Sequence, residues 1–266
     1  MKALETLALA ADGRDLVARA PADARWCTAL RRMLVAGDRE LTTGDEETCA
    51  LLLDGTFDLV GGTTAWPSRG ARPDPTAGRP VAVFLPPRCA FAARNGQGRI
   101  LLLAARQPAG DAATGRAALQ QSPLLPLAGS GKSFDPGSGE WRPAETFPTA
   151  AESLPPRRIQ RLSVGAVAVE RVFGADYKAA TLCVDELVLP VGSELAAGAL
   201  ALPAAASEAM LYVLGDGALR VRVGGDEVAV TGEAALFCRT PRALALRSAD
   251  APVYVAVAWA GKSTPA

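Results

Sequence analysis

Short apolar runs, broken every few residues by glycine, proline or aspartate, fill the second half of this chain and restrict its fold more than any other feature. They fall at Ala166 to Val172, Thr181 to Leu189, Ala209 to Leu214, Ala218 to Val223, Glu227 to Val230, Ala234 to Cys238, Ala243 to Arg247 and Val253 to Trp259. Runs of that length with frequent turn residues predict strands, and a series of them predicts a barrel or jelly roll. The first half repeats the pattern at Cys49 to Leu53, Thr56 to Val60, Val81 to Leu85 and Ile100 to Ala104. Asp54-Gly55 lies between two of these runs and predicts a tight type I′ turn, because both central residues of that turn take positive φ. Gly61 to Arg79 is rich in Gly, Pro, Thr and Arg and reads as a long loop.

These signals divide the chain into a first barrel over residues 1–106, a crossing over 107–158 and a second barrel over 159–266. The crossing is Pro-, Gly- and Ser-rich with little periodicity. Cys49-Ala-Leu-Leu-Leu-Asp-Gly-Thr-Phe-Asp-Leu and Ala209-Met-Leu-Tyr-Val-Leu-Gly-Asp-Gly-Ala-Leu-Arg-Val share a strand, a glycine turn and a returning strand, which implies an internal duplication. The expected fold class is therefore all-β, with two jelly-roll barrels in one chain.

Charge excludes several partners. The 28 basic residues balance 28 acidic ones, so no global field draws nucleic acid or an anionic membrane. No stretch of 18 apolar residues occurs, and Met1 to Asp12 lacks the pattern of a secretory leader, so a cytoplasmic protein is expected. The five cysteines are widely spaced without any Cys-x-x-Cys, which indicates buried thiols rather than a zinc knuckle or disulfide framework.

The segment Glu208-Ala-Met-Leu-Tyr-Val-Leu-Gly-Asp-Gly resembles the cupin signature of a glutamate followed by a strand and glycine turn, and Gly232 through Pro241 resembles the second signature. Val169 to Ser193 is similar to the lead-in to the second barrel of the 5-deoxyglucuronate isomerase and 5-keto-4-deoxyuronate isomerase family. Thr42 to Gly55 resembles that family's first barrel. The resemblance implies a bicupin whose second barrel binds a divalent metal through three histidines and one glutamate, and interconverts the aldehyde and ketone forms of a uronate-type sugar. This chain departs from it, since it contains no histidine. The His-x-His positions fall near Gly198 and Leu200 and the third near Leu246, leaving Glu208 alone, and one carboxylate does not replace three imidazoles. No metal and no cofactor are expected.

The absence of histidine also removes Ser-His and Cys-His nucleophile pairs and the usual imidazole base. Glu208 becomes the candidate catalytic acid/base: the resemblance points it into the barrel, where apolar neighbours would raise its pKa. The competing reading is a glutamate that is solvated or paired with Arg220 or Arg222. Tyr212 lies on the same strand face by period-two alternation and is assigned to hydrogen-bonding a substrate oxygen, with core filling as its alternative. Arg239, Arg242 and Arg247, with Arg220, are the candidate substrate-binding groups, because the arginine fork fits a carboxylate or phosphate. Cys238 reads as an inert buried thiol. Asp185 and Glu186 are adjacent, so on a strand they take opposite faces and only one faces inward. Gly129-Ser-Gly-Lys-Ser133 lacks the glycine of a phosphate-binding loop, since Pro126 stands in its place.

Two functions fit these residues. One is a metal-independent isomerase or cyclase in which Glu208, Tyr212 and an arginine move a proton beside the carbonyl of a small sugar-acid-type molecule. The other is a non-catalytic cupin that binds a small molecule or serves as a scaffold after losing the metal site, as a homodimer or beside an intact paralogue.

Overall fold

The computed structural model describes residues 2–107, 117–121, 125–126, 132–135, 140–143, 157–173, 181–200, 202 and 205–261. It is an all-β protein in two halves. In the second half a seven-stranded sheet runs in the order Leu4–Leu7, Ala234–Cys238, Glu208–Leu214, Val253–Ala260, Leu182–Leu189, Val167–Phe173, Gln160–Val164. A four-stranded sheet, ordered Glu194–Leu195, Leu244–Ser248, Leu219–Val223, Asp226–Val230, accompanies it. In the first half, Val81–Leu85, Glu46–Leu52, Ala90–Arg106, Cys27–Ala36 and Asp15–Arg19 lie side by side. That order repeats Ala234–Cys238, Glu208–Leu214, Val253–Ala260, Leu182–Leu189 and Val167–Phe173, as a duplicated unit requires.

The large sheets of the two halves pack face to face, which explains why Val253–Ala260 is buried at all eight positions. Even-numbered Tyr254, Ala256, Ala258 and Ala260 enter a seam shared with Leu30, Cys49, Leu51, Phe84 and Leu101 of the first half. Odd-numbered Val253, Val255, Val257 and Trp259 enter the interior of the second half. A strand covered on both faces loses its polar alternation and reads as a continuous apolar run. The interior of the first half is a third apolar layer, around Met33, Leu52, Phe57, Phe91 and Ile100.

Several strands lie where the sequence gives no strand signal. Cys27–Ala36 carries Arg31 and Arg32 at its centre, yet both are held: Arg31 by Asp12 and Asp15, Arg32 by Glu233. The expected loop over Gly61 to Arg79 contains the strand Thr64–Arg72, which pairs with Gly55–Gly61. At Asp54-Gly55 only Gly55 has positive φ, 84°, so the turn is not type I′. Asp54 instead accepts hydrogen bonds from the Arg99 backbone N–H and side chain. Leu4–Leu7, at the start of the chain, pairs with Ala234–Cys238 and so completes the sheet of the second half. Ala118–Gln121, in the sequence between the halves, pairs with Val81–Leu85. Ser133 lies in the strand Lys132–Asp135 rather than at a helix start, and Gly129 to Gly131 lie outside the described residues.

Candidate functional site

Glu208 opens the strand Glu208–Leu214 and its side chain leaves the sheet on the seam side with Met210 and Tyr212, while Ala209, Leu211 and Val213 face the interior. The expectation that it points into the barrel is therefore corrected by one step of register, which moves a side chain to the opposite face. Its Oε1 accepts the Arg25 N–H at 2.7 Å, and its Oε2 accepts those of Trp26 at 2.8 Å and Cys27 at 3.0 Å. These donors open the strand Cys27–Ala36 of the other half, so Glu208 is a clasp between halves rather than a group aimed at a substrate. It pairs with neither Arg220 nor Arg222.

The first half has a matching clasp that the sequence reading missed. Oε2 of Glu47 accepts the N–H groups of Thr181 at 3.1 Å and Leu182 at 3.3 Å and the Thr181 hydroxyl at 3.1 Å, where the strand Leu182–Leu189 begins. Glu47 and Glu208 occupy equivalent positions of the duplicated units, each holding the strand equivalent to the one the other holds. The echo sets Cys49 against Ala209, one residue out of step with the structure, where Thr48 is the equivalent of Ala209, and so it left Glu47 unnoticed.

Tyr212 is buried, and its hydroxyl donates to Oε1 of Glu233 at 2.8 Å. Burial, then the Glu233 charge, push the phenol far above its ordinary range. Glu233 also binds Arg32 at 3.0 Å, so the assigned substrate hydrogen bond is replaced by an Arg32–Glu233–Tyr212 link across the seam. A second link joins Arg72 to both oxygens of Glu186, at 3.0 and 2.6 Å, with the Tyr254 hydroxyl donating to the same carboxylate.

The metal implied by the cupin resemblance does not fit the second interior. Leu200 and Leu246, at or beside the histidine positions, are buried among its apolar side chains. Gly198 takes φ 76° and brings no side chain. The Asp185 carboxylate in that interior is held by Arg171 at 3.0 and 3.1 Å and by the Trp259 indole N–H at 2.9 Å. Asp185 and Glu186 take opposite faces as expected, Asp185 alone facing that interior beside Trp259 and Glu186 facing the seam beside Tyr254, and both are buried because the sheet is covered on each side. Among the described residues no group of three metal-capable side chains gathers. Burial lifts the Cys238 thiol to about 11, so it carries no ready thiolate.

The four assigned arginines separate. Arg239 is bound to Glu5 at 2.7 Å and to both oxygens of Asp23 at 2.7 and 2.9 Å, and lies over the Phe237 ring, which fastens the first strand of the chain in place. Arg242 stands exposed in the short 3₁₀ turn Pro241–Ala243, and neither it nor Arg239 lines the groove formed around the other two. Arg220 and Arg247 are direct cross-strand partners on the outer face of the four-stranded sheet. With Arg222, Glu194, Glu227 and Ala245 they line a shallow groove of about 120 Å³. The groove lies on the opposite side of the half from Glu208 and Tyr212, so the acid/base pair and the arginines assigned to one site belong to different faces.

The chain matches solved structures over almost its whole length. An IolB-like protein from Salmonella typhimurium aligns with 98% of this chain and 93% of its own at a TM-score of 0.67 and 13% identity. An oxalate decarboxylase from Lactobacillus farciminis, solved with formate, covers 99% of this chain and 87% of its own at 0.61 and 12%. One from Bacillus subtilis covers 99% and 78% at 0.60 and 9%. No family model matches the sequence, and no curated relative does. At these identities the likeness is one of fold, and the fold is that of a bicupin. Among the described residues no helix is long and apolar enough to cross a membrane.

Proposed function

We propose that this chain is a bicupin that binds a small molecule or holds partners on a rigid frame, and that it does so without catalysis by Glu208. The observation that carries this reading is the engagement of Glu208 by three backbone N–H donors of residues 25–27. A carboxylate so held cannot approach a carbonyl without stripping hydrogen bonds from a buried strand end, which costs about 1–3 kcal/mol for each orphaned donor. Tyr212 is committed to Glu233 in the same way, and the interior where cupin chemistry would occur is filled by Leu200, Leu246 and their neighbours. The solved structures that this chain resembles are an IolB-like protein and oxalate decarboxylases, and what it shares with them is the frame.

The test uses untagged protein, since a histidine tag would add metal ligands. Plasma mass spectrometry should find no stoichiometric metal, and NMR of added aldose and ketose uronates should show no interconversion above buffer. Turnover that vanishes in Glu208→Gln and in Tyr212→Phe, with folding intact by circular dichroism, would overturn the reading.

A further inference from the structure

Among the described residues, the outer face of the four-stranded sheet gathers arginines of the second half with few partners. Elsewhere in that half, Arg161 is tied to Glu170, Arg171 to Asp185 and Arg239 to Glu5 and Asp23. In the groove, Arg220 reaches Glu227 only at 3.7 Å. Arg222 and Arg247 form no ion pair or hydrogen bond among the described residues. Glu194 is the cross-strand partner of Arg247, yet no ion pair joins them.

The register makes this arrangement costly. Arg220 stands directly opposite Arg247, and like charges at facing positions of an antiparallel pair oppose folding. Arg222 lies one diagonal step away, at about 7–8 Å by sheet geometry. Ala229 stands opposite Arg220 on one side, and Arg222 has Ala245 on one side and Glu227 on the other, so small residues leave space beside the guanidinium groups. Three exposed forks line one concave surface, and Arg222 and Arg247 each face a carboxylate across the strand pair, Glu227 and Glu194, without an ion pair to it, which leaves their donors open to an anion.

We propose that this groove is a binding site for a small dianionic oxyanion, a phosphate group or a pair of carboxylates, with Arg222 and Arg247 as its main ligands and Arg220 beside them. The rim carboxylates Glu194 and Glu227 limit the charge the groove accepts and exclude long acidic chains. This deepens the binding reading above and rests on it for the role of the site.

The full chain is titrated calorimetrically at low ionic strength with inorganic phosphate and, separately, with malonate. Saturable one-to-one binding of either probe is expected. It should weaken about tenfold or more in the Arg222→Ala/Arg247→Ala double variant, and less in Arg222→Lys/Arg247→Lys, which keeps charge but loses the fork. Arg88→Ala, which removes an exposed arginine paired with Asp45 elsewhere, should bind as the unaltered protein does. Preference for phosphate assigns the ligand to the phosphoryl class, and preference for malonate to the dicarboxylates. Removing the Arg220–Arg247 opposition should also raise the unfolding temperature of the unliganded double variant, a gain that loss of a structural residue would not give. Heat that does not saturate with either probe, or undiminished binding by the double alanine variant, overturns the site while leaving the non-catalytic reading standing. Uronate turnover lost in Glu208→Gln sinks that reading instead and leaves the anion titration to stand by itself.

Discussion

Glu208 and Glu47 do the same work at equivalent positions, and each should be costly to remove. Truncation of either to alanine orphans two or three buried backbone donors, at about 1–3 kcal/mol each, so urea unfolding should show a loss of about 3 kcal/mol or more for each single variant. A loss below about 1 kcal/mol would mean that water replaces the carboxylate easily. Glu170 behaves differently. It faces Glu186 across the strand pair, its Oε1 is 3.2 Å from Arg161, and its Oε2 is buried without a partner among the described residues. Burial raises its pKa above the usual glutamate value, opposed by the charges of Arg161 and Arg79. Its contribution to stability is therefore fully present below pH 4.5, its ordinary value, and is lost as pH rises through the raised folded value. Glu170→Gln should gain on the unaltered protein as pH climbs from 4 to 8, and parallel pH profiles for the two would contradict this. Residue types were legible in the sequence where chemistry alone decides, as with the missing histidines and the inert Cys238. Direction was not, because Glu208 and its neighbours are apolar-flanked on both sides and alternation gives no cue to which face is which.

The strand Ala90–Arg106 turns a corner within its 17 residues, pairing first with Arg39–Thr42 and Gly55–Gly61 and then with Cys27–Ala36 and Glu46–Leu52. The corner works because backbones nearly touch. A Cβ on Gly55 would stand 2.1 Å from the Gln97 carbonyl oxygen, and one on Gly96 2.0 Å from that of Thr56. Gly55→Ala, with φ 84° as a further obstacle, should cost about 2 kcal/mol or more. Gly224→Ala, at φ 59° with open space around it, should cost only about 1 kcal/mol from its backbone alone. Equal losses in thermal unfolding would count against the close approach. Most strands of the second half begin and end within a residue or two of their apolar runs, as with Ala234–Cys238 and Asp226–Val230. Strands whose charges are neutralised by distant parts of the chain escaped, as Cys27–Ala36 did through Asp12, Asp15 and Glu233. Pairing across long separations cannot be read from local composition.

At the scale of the molecule, the seam makes the two halves one cooperative body. Leu30, Leu51, Phe84 and Leu101 pack there against Phe173, Met210, Tyr254 and Ala256, and the clasps and the Arg72–Glu186 pair cross it. Urea unfolding should therefore give one transition, coincident by fluorescence and far-ultraviolet circular dichroism, and two separated transitions would show that the halves are independent. The bicupin architecture was legible from strand count, duplication and signature; the groove was half legible, as Arg220 and Arg247 were named as ligand-binding groups but Arg222 only as a partner for Glu208, since register alone brings it beside them. The pairing of Leu4–Leu7 with Ala234–Cys238 has a bearing on synthesis. The ribosome releases that strand more than two hundred residues before its partner exists, so the nascent chain carries Leu4 and Leu7 without their partner strand through that whole interval, and closure of the second sheet waits for two distant segments to be brought together.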